Sequence, residues 1–464
     1  MSGINGVLSI GANGLAGSTA GTNITSQNIS NAATPGYTRR TATLEAIPID
    51  QGGGVRVLPA TREQDTYLEK RSLGANAQSG EADARVKTLS VTDTVFGTGD
   101  GSVGDALDAF ESSLSDLATT PNSTAVRQVV LSDADSLSQA FHSASDALSG
   151  ARSDANARIQ GDVQTLNTKV QQIGDLTGQI IKIKNAGGDA GDLEDKRDGL
   201  IQDISSIAPI TTIAKDNGAV TVMLAGQRNL VDENGAVHLL SASPDPTSGD
   251  VHVYRTTAGA QEDLTSLFTT GSVGGTISAR DGALKTAQTS LDQLAFDVGN
   301  AYNAVQSAGV GLDGNTGRNL FTTQASATGA AASIGVSSDV DGHPEFLAAA
   351  QDATSLPGDN RNAIALLNVR DQNVANGATQ TLQTAYSSLV SAAGTASQNA
   401  TQASDQATTS LNQLNALRDS VSGVSTDDEM ISMMKYQRAY QASLRVIETA
   451  DSMMSSLMNM TIGS

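Results

Sequence analysis

DDEMISMMKYQRAYQASLRVIETADSMMSSLMNM, residues 427–460, is the stretch on which the fold turns. Met433, Tyr440, Ile447 and Met454 recur every seven residues, with Tyr436, Leu444, Ala450 and Leu457 beside them. That recurrence lays one apolar seam along a helix, which is what pairing with another helix requires. At its start, Thr426 and Glu429 read as a capping box, with the glutamate reaching back to the first turn. Ser422-Gly423 breaks the helical pattern upstream.

A partner seam lies at the opposite end of the chain. Residues 3–33 carry a sparse stripe of Ile4, Val7, Leu8, Leu15 and Ile29. Leu8, Leu15 and Ile29 fall on a seven-residue register, with Gly11, Ser18 and Thr25 on the adjacent seam. A helix so rich in glycine is marginal alone, but small seam residues suit close helix–helix approach. The two termini are therefore expected to pair with each other. The N-terminal helix runs into NISNAATPGYTRR, residues 28–40, where Pro35-Gly36 turns the chain and Tyr37 to Arg40 begins a linker.

The composition limits what such a chain can do. Its 464 residues exceed one ordinary domain. A formal charge of −21 leaves no clustered basic groove, which argues against nucleic acid as a partner. Aromatic residues make up 3% and there is no tryptophan, so slender elements with thin cores are expected. Absent cysteine excludes disulfides, thiolate metal sites and cysteine nucleophiles. No run reaches the length of a membrane span, and the first residues lack the basic and apolar regions of a cleaved signal peptide.

Between the ends the pattern is mainly helical with one β insertion. Residues 39–68 read as extended, with Thr41 to Leu44 and Val55 to Leu58 separated by Gly52-Gly53-Gly54. Leu107, Phe110, Leu114 and Leu117 follow helical spacing; after Pro121-Asn122 a second helix runs through Val126, Val129, Val130, Leu137 and Phe141. A long polar helix then carries Ile159, Val163, Leu166, Val170, Ile173, Leu176 and Ile180 as a narrow, coiled-coil-like seam. Residues 210–270 switch to short alternating runs at 211–213, 220–224, 237–240 and 251–254, with Asp216-Asn217-Gly218 and Glu233-Asn234-Gly235 as turns. Helix resumes near 276 and passes Tyr302, a loop-rich stretch follows to about 360, and the last hundred residues are helical.

Catalytic chemistry finds little support in the residues. His142, His238, His252 and His343 show no metal-ligand spacing, although His238 and His252 sit in runs that could be neighbouring strands. Gly309 to Gly314 matches the dinucleotide glycine pattern literally, but a helix precedes it and a loop follows, the reverse of what that fingerprint needs. Asp313, Asn315 and Gly317 lack the terminal glutamate of a calcium loop. The expectation is no enzyme, no cofactor and no metal.

Taken together, the two ends resemble those of the flagellar rod, hook and hook-associated axial proteins. The residues that carry this are Asn28-Ile29-Ser30-Asn31 with Pro35-Gly36-Tyr37-Thr38-Arg39, and the 427–460 helix with Tyr436-Gln437, Tyr440 and Thr449-Ala450. Four interior segments are similar to the hook-associated protein 1 family of hook–filament junction proteins: 117–141, DLEDKRDGLIQDIS at 192–205, GGTISARDGALKTAQTSLDQLAFDVGNAYNAVQSAGVGLDGNTGRNLF at 274–321, and GDNRNAIALL at 358–367.

The resemblance implies a structural junction adaptor outside the cell, exported by the flagellar type III route without a cleaved signal and required for filament assembly. It implies self-association into a ring, hook protein and a second junction protein as neighbours, and a cytoplasmic export chaperone on the C-terminal helix. The implied fold is mainly α with a small β insertion, elongated and multi-domain. Residues 1–38 and 424–464 would form an inner-tube assembly domain, poorly ordered in the monomer. Residues 39–208 and 273–423 would form a discontinuous helical rod, and 209–272 a β-rich outer domain. The candidate assembly residues are Leu8, Leu15, Asn28, Ile29, Asn31, Pro35, Gly36, Tyr37, Arg39, Met433, Tyr436, Tyr440, Leu444, Ile447, Met454 and Leu457. Among them Arg39 is the candidate to pair with a carboxylate. The competing readings are another axial protein of the flagellum, or a secreted enzyme or adhesin using the β insertion.

Overall fold

The computed structural model describes residues 2–48, 53–97, 101–257 and 259–462; Gly52, and the outermost residues of both terminal segments, lie outside that set. The chain opens with α1 (Ser2–Asn31). Two short antiparallel ribbons follow, β1 (Arg40–Thr41) paired with β4 (Thr61–Arg62) and β2 (Leu44–Ala46) paired with β3 (Val55–Val57). Then come α2 (Thr66–Val95), α3 (Val103–Thr119), α4 (Thr124–Asn185) and α5 (Gly191–Ser205). Side-chain oxygens start three of these. Asp65 accepts from the amides of Tyr67 and Leu68 at 2.8 and 3.1 Å, Ser102 from Asp105 at 3.1 Å, and Ser123 from Val126 at 3.3 Å.

Where the periodicity suggests two helices, α4 is a single one of 62 residues, about 93 Å long at 1.5 Å per residue. Gly150 weakens it by only about 1 kcal/mol, and apolar packing on both sides outweighs that. The first half buries Leu131, Leu137, Phe141 and Leu148 in a helical core with α3 and the later helices. The second half buries Ile159, Val163, Leu166, Val170 and Ile173 in another core. That seam meets the β insertion and α5, not a coiled-coil partner, because the strands supply its apolar complement.

The insertion holds two three-stranded antiparallel sheets. One has order β5 (Ile210–Ala214), β6 (Val220–Leu224), β7 (Arg228–Val231); the other has order β8 (Leu240–Pro244), β9 (Val251–Thr257), β10 (Ala260–Asp263). β7 and β10 escape the sequence pattern because neither alternates: β7 runs Arg228-Asn229 into the buried Leu230-Val231, and β10 is a polar edge strand. The 237–240 run yields only a bridge from Val237 to Val231 before β8 begins. His238 and His252 do not meet: each pairs with its own carboxylate, Asp232 at 2.9 Å and Asp263 at 2.8 Å.

The chain returns through α6 (Gly271–Ala279), a π-helical turn at Arg280–Leu284 and α7 (Lys285–Ala308). Arg280, fully buried, donates to Asn156 Oδ1 on α4 at 2.7 Å and to the Val251 carbonyl on β9 at 2.8 Å, tying the insertion to the helices. After α8 (Ala330–Ser333) and α9 (Arg361–Leu367), α10 (Leu382–Ser422) runs back along α2, and α11 (Thr426–Ile462) ends the chain.

The helical core contains an unbalanced carboxyl. Glu111 is 9% exposed, its Oε1 has no hydrogen-bond partner, and the hydroxyl of fully buried Tyr302 also lacks one. Burial pushes Glu111 up from 4.5 to about 7, with Asp108 acting in the same sense and Arg370 opposing. A raised carboxyl favours the native state below pH 4.5, and that advantage is lost as pH rises through 7. Glu111→Gln is therefore expected to raise the melting temperature by a few degrees at pH 8 and to leave it unchanged at pH 4. Thermal unfolding at the two pH values checks this.

Candidate functional site at the base of the terminal helices

α1 and α11 pack antiparallel, and α1 achieves this by carrying almost no side chain on its inner face. Gly11 faces Ile447, Gly14 faces Ser443 and Gly21 faces Tyr436. A Cβ placed on Gly21 would sit 2.3 to 2.5 Å from three atoms of the Tyr436 ring; on Gly14 it would lie 2.5 Å from Ser443 Oγ. Ser18 and Thr25, also buried on this line, turn their hydroxyls back to the carbonyls of Gly14 and Gly21 at 2.8 Å each. Each satisfies its own polar atom and stays out of the partner's way.

The line ends at Asn28, which is fully buried. Its Nδ2 donates to the Arg40 carbonyl at 2.8 Å and to Glu429 Oε2 at 3.0 Å. Its Oδ1 accepts from the Tyr37 hydroxyl at 2.9 Å and from the Arg40 amide at 3.1 Å. Burial raises the Tyr37 phenol, which keeps that hydroxyl a donor. The other oxygen of Glu429 accepts from Arg39 Nε at 2.8 Å. Glu429 is thus no capping residue. Ser425 precedes α11, with its Oγ 3.4 Å from the Asp428 amide, and the Glu429 carboxylate is 2% exposed between Asn28 and Arg39.

One step outward, Arg40 and Arg62 lie opposite each other in the β1–β4 ribbon and both reach α5. Arg40 Nη2 contacts Asp192 at 2.6 Å and Asp195 at 2.9 Å; Arg62 Nη2 contacts Asp195 at 2.6 Å and Asp198 at 2.8 Å. Both guanidiniums are nearly buried, 4% and 9% exposed, so these are desolvated, charge-assisted pairs and not surface decoration. Among the described residues, neither apolar core contains a side chain from α1 or α11. α1 also packs on the β2–β3 ribbon, where Gly17 faces Val55 and Leu44, and the β1–β4 ribbon joins α5 through polar and ionic contacts.

Of the residues singled out from sequence, the structure brings Asn28, Tyr37 and Arg39 together with Glu429, inside one chain. Asn28, read as a contact between subunits, is enclosed within its own. Tyr436 and Ile447 lie on the α1–α11 seam, half-buried like Met433 and Met454. Leu8, Leu15 and Ile29 flank the seam, because the fully buried positions go to the small residues. Asn31 stays local, donating to the Gln27 carbonyl at 2.9 Å, and Pro35 and Gly36 are exposed at the turn, Gly36 with φ 78°. Tyr440, Leu444 and Leu457 are 38–45% exposed. Sequence reasoning missed Arg40, Arg62 and the carboxylates of α5. The three-residue spacing of Asp192, Asp195 and Asp198, which puts them on one helix face, was the available signal.

A family model described as the flagellar hook-associated protein FlgK helical domain matches residues 89–321, half of the chain. The chain belongs to that family. It is a structural, non-enzymatic component of the flagellar axial structure. A second model, the C-terminal region of the flagellar basal body rod FlgEFG proteins, matches residues 418–460, which include most of α11. Flagellar hook-associated protein 1 of Salmonella typhimurium (strain LT2) is 26% identical over 542 residues, covering 96% of this chain and 98% of that protein. The Bacillus subtilis (strain 168) protein of the same name is 26% identical over 482 residues, covering 94% of each. Among solved structures, the flagellar hook junction protein FlgK from Burkholderia pseudomallei shares the fold with a TM-score of 0.68. It is 16% identical and aligns over 76% of this chain and all of that one.

Glu429→Ala leaves Asn28 Nδ2 and Arg39 short of an acceptor in a nearly closed site, at a cost of about 2–3 kcal/mol. Hydrogen exchange is expected to quicken at residues 26–31 and 429–433 and to stay unchanged in α3 and α4.

Proposed function

We propose that the chain is the adaptor at the hook–filament junction of the bacterial flagellum, outside the cell, and that its terminal helix pair forms the inner tube. The observation that carries this is the apolar face that remains after α1 and α11 have paired. Val7, Ile10, Met430, Ile431, Met434, Tyr440, Leu444, Val446 and Met453 each keep 38–57% of their surface exposed. Apolar side chains left exposed in this number along two paired helices are a surface for neighbouring subunits, and head-to-tail contacts between identical copies close into a ring or continue as a helix.

Copies of this chain are the neighbours within the ring, with hook protein on one side and the second junction protein on the other. Residues 1–38 and 424–464 order fully only on assembly, while 39–208 with 273–423 and the 209–272 insertion form the outer layers. Before export through the flagellar type III channel, a cytoplasmic chaperone covers the methionine-rich face of α11. Methionine suits that double use, because its flexible side chain adapts to more than one groove.

Deleting residues 1–35 or 427–464 is expected to leave the remaining body folded by circular dichroism while cells lose motility. Electron microscopy of either strain should show hooks without filaments, with flagellin released to the medium. Normal filaments in either strain would contradict the reading.

A further inference from the structure

Seven of the chain's nine methionines lie within α11. Met430, Met434, Met453 and Met458 keep 50–58% of their surface exposed. Met433 and Met454 are half-buried, and the side chain of Met460 lies outside the described residues. Three residues before Tyr436 and seven after Ile447, Met433 and Met454 share the helix face that meets α1. The chain contains neither cysteine nor tryptophan, so its thioether sulfurs are the atoms most readily oxidised.

We propose that the four exposed methionines are an oxidation site for hydroperoxides, and that their sulfoxides block association of α11 with neighbouring subunits while sparing the α1–α11 pair. The block rests on the reading of this face as a surface for neighbouring copies; the site does not. In the oxidising step a hydroperoxide transfers one oxygen atom to the methionine sulfur. An S–O bond forms and the O–O bond breaks, the sulfur gives up two electrons, and the other oxygen keeps the proton and leaves as water or an alcohol. The product is a polar sulfoxide whose oxygen is a strong hydrogen-bond acceptor. Covering it without a donor forfeits its hydration. The other exposed apolar side chains of the two helices, Val7, Ile10, Ile431 and Val446 among them, carry no such donor.

The seam methionines answer differently. Oxygen transfer needs the oxidant to reach the sulfur, and α1 restricts the approach to Met433 and Met454 for as long as the helices stay paired. The outer face is therefore altered first, in a subunit that is still folded. A subunit already built in has that face covered and escapes. The change is also reversible, because sulfoxide is returned to thioether by the methionine sulfoxide reductases.

Purified full-length chain is treated with graded hydrogen peroxide, mapped by peptide mass spectrometry, and supplied to cells that lack this chain and carry bare hooks. Sulfoxide is expected to form several-fold faster at Met430, Met434, Met453 and Met458 than at Met433 and Met454, with hydrogen exchange at residues 26–31 unchanged. Filament growth should fall as the four are converted and return after repair with reductases A and B. Equal rates at exposed and half-buried methionines would overturn the site. Growth that persists with the four converted, or that stays lost once the mapped sulfoxides are gone, would overturn the block. Untreated chain that supports no filaments would contradict the junction reading and the block with it, while the rates at individual methionines would still decide the site.

Discussion

Between Gly21 and the ring of Tyr436 there is no room for a methyl group, and the same holds between Gly11 and Ile447 and between Gly14 and Ser443. This close approach fixes the register of α1 on α11, and the register carries Asn28 to Glu429 and hence Arg39 to its ion pair. Tyr37 and Arg40 then close on Asn28 and set the direction in which the ribbon leaves. A larger residue anywhere on the inner line of α1 would shift the helix and dismantle the polar knot beneath it. Glycine, costly in an isolated helix, is here the condition for pairing.

The rest of the chain is held differently. Two apolar cores share α4 as a common spine, one among helices and one beneath the β sheets, with Arg280 bridging them. Among the described residues, the terminal pair takes part in neither. It is joined through Arg40 and Arg62 to the carboxylates of α5, contacts that depend on charge and geometry and tolerate rearrangement better than a packed core does. In a component of the flagellar axial structure the two parts are therefore held by different physics, the body by packed cores and the terminal pair by a polar joint.

The elements legible in the sequence are those whose signal is local. The seam of 427–460, the amphipathic α3 and the turns at Gly218 and Gly235 rest on neighbours a few residues apart, and the structure has them. The pairing of the termini was legible because both ends carry a seven-residue repeat. What sequence could not supply was partnership across the chain. Glu429 sits where a capping box would place a glutamate, and only its contact with Asn28, 401 residues away, shows its use. The continuity of α4 across Gly150 depends on two cores that no window of sequence contains. β7 joins two polar residues to the buried Leu230 and Val231, and β10 is polar and faces water, so alternation marked neither. Asn28 was legible as an important position, but its place inside one chain emerged only with the side-chain geometry.

The account stands or falls on the small-residue seam, and one pair of substitutions tests it. In the cysteine-free chain, a label pair on α1 and α11 reads their separation in wild type, in Gly21→Ala, and in Gly21→Ala combined with Tyr436→Ala. The methyl group of the single variant should drive the helices apart, and removing the ring it strikes should bring them back to the wild-type distance. An unchanged separation in Gly21→Ala, or a double variant as far apart as the single one, would contradict the claim that this approach positions the joint.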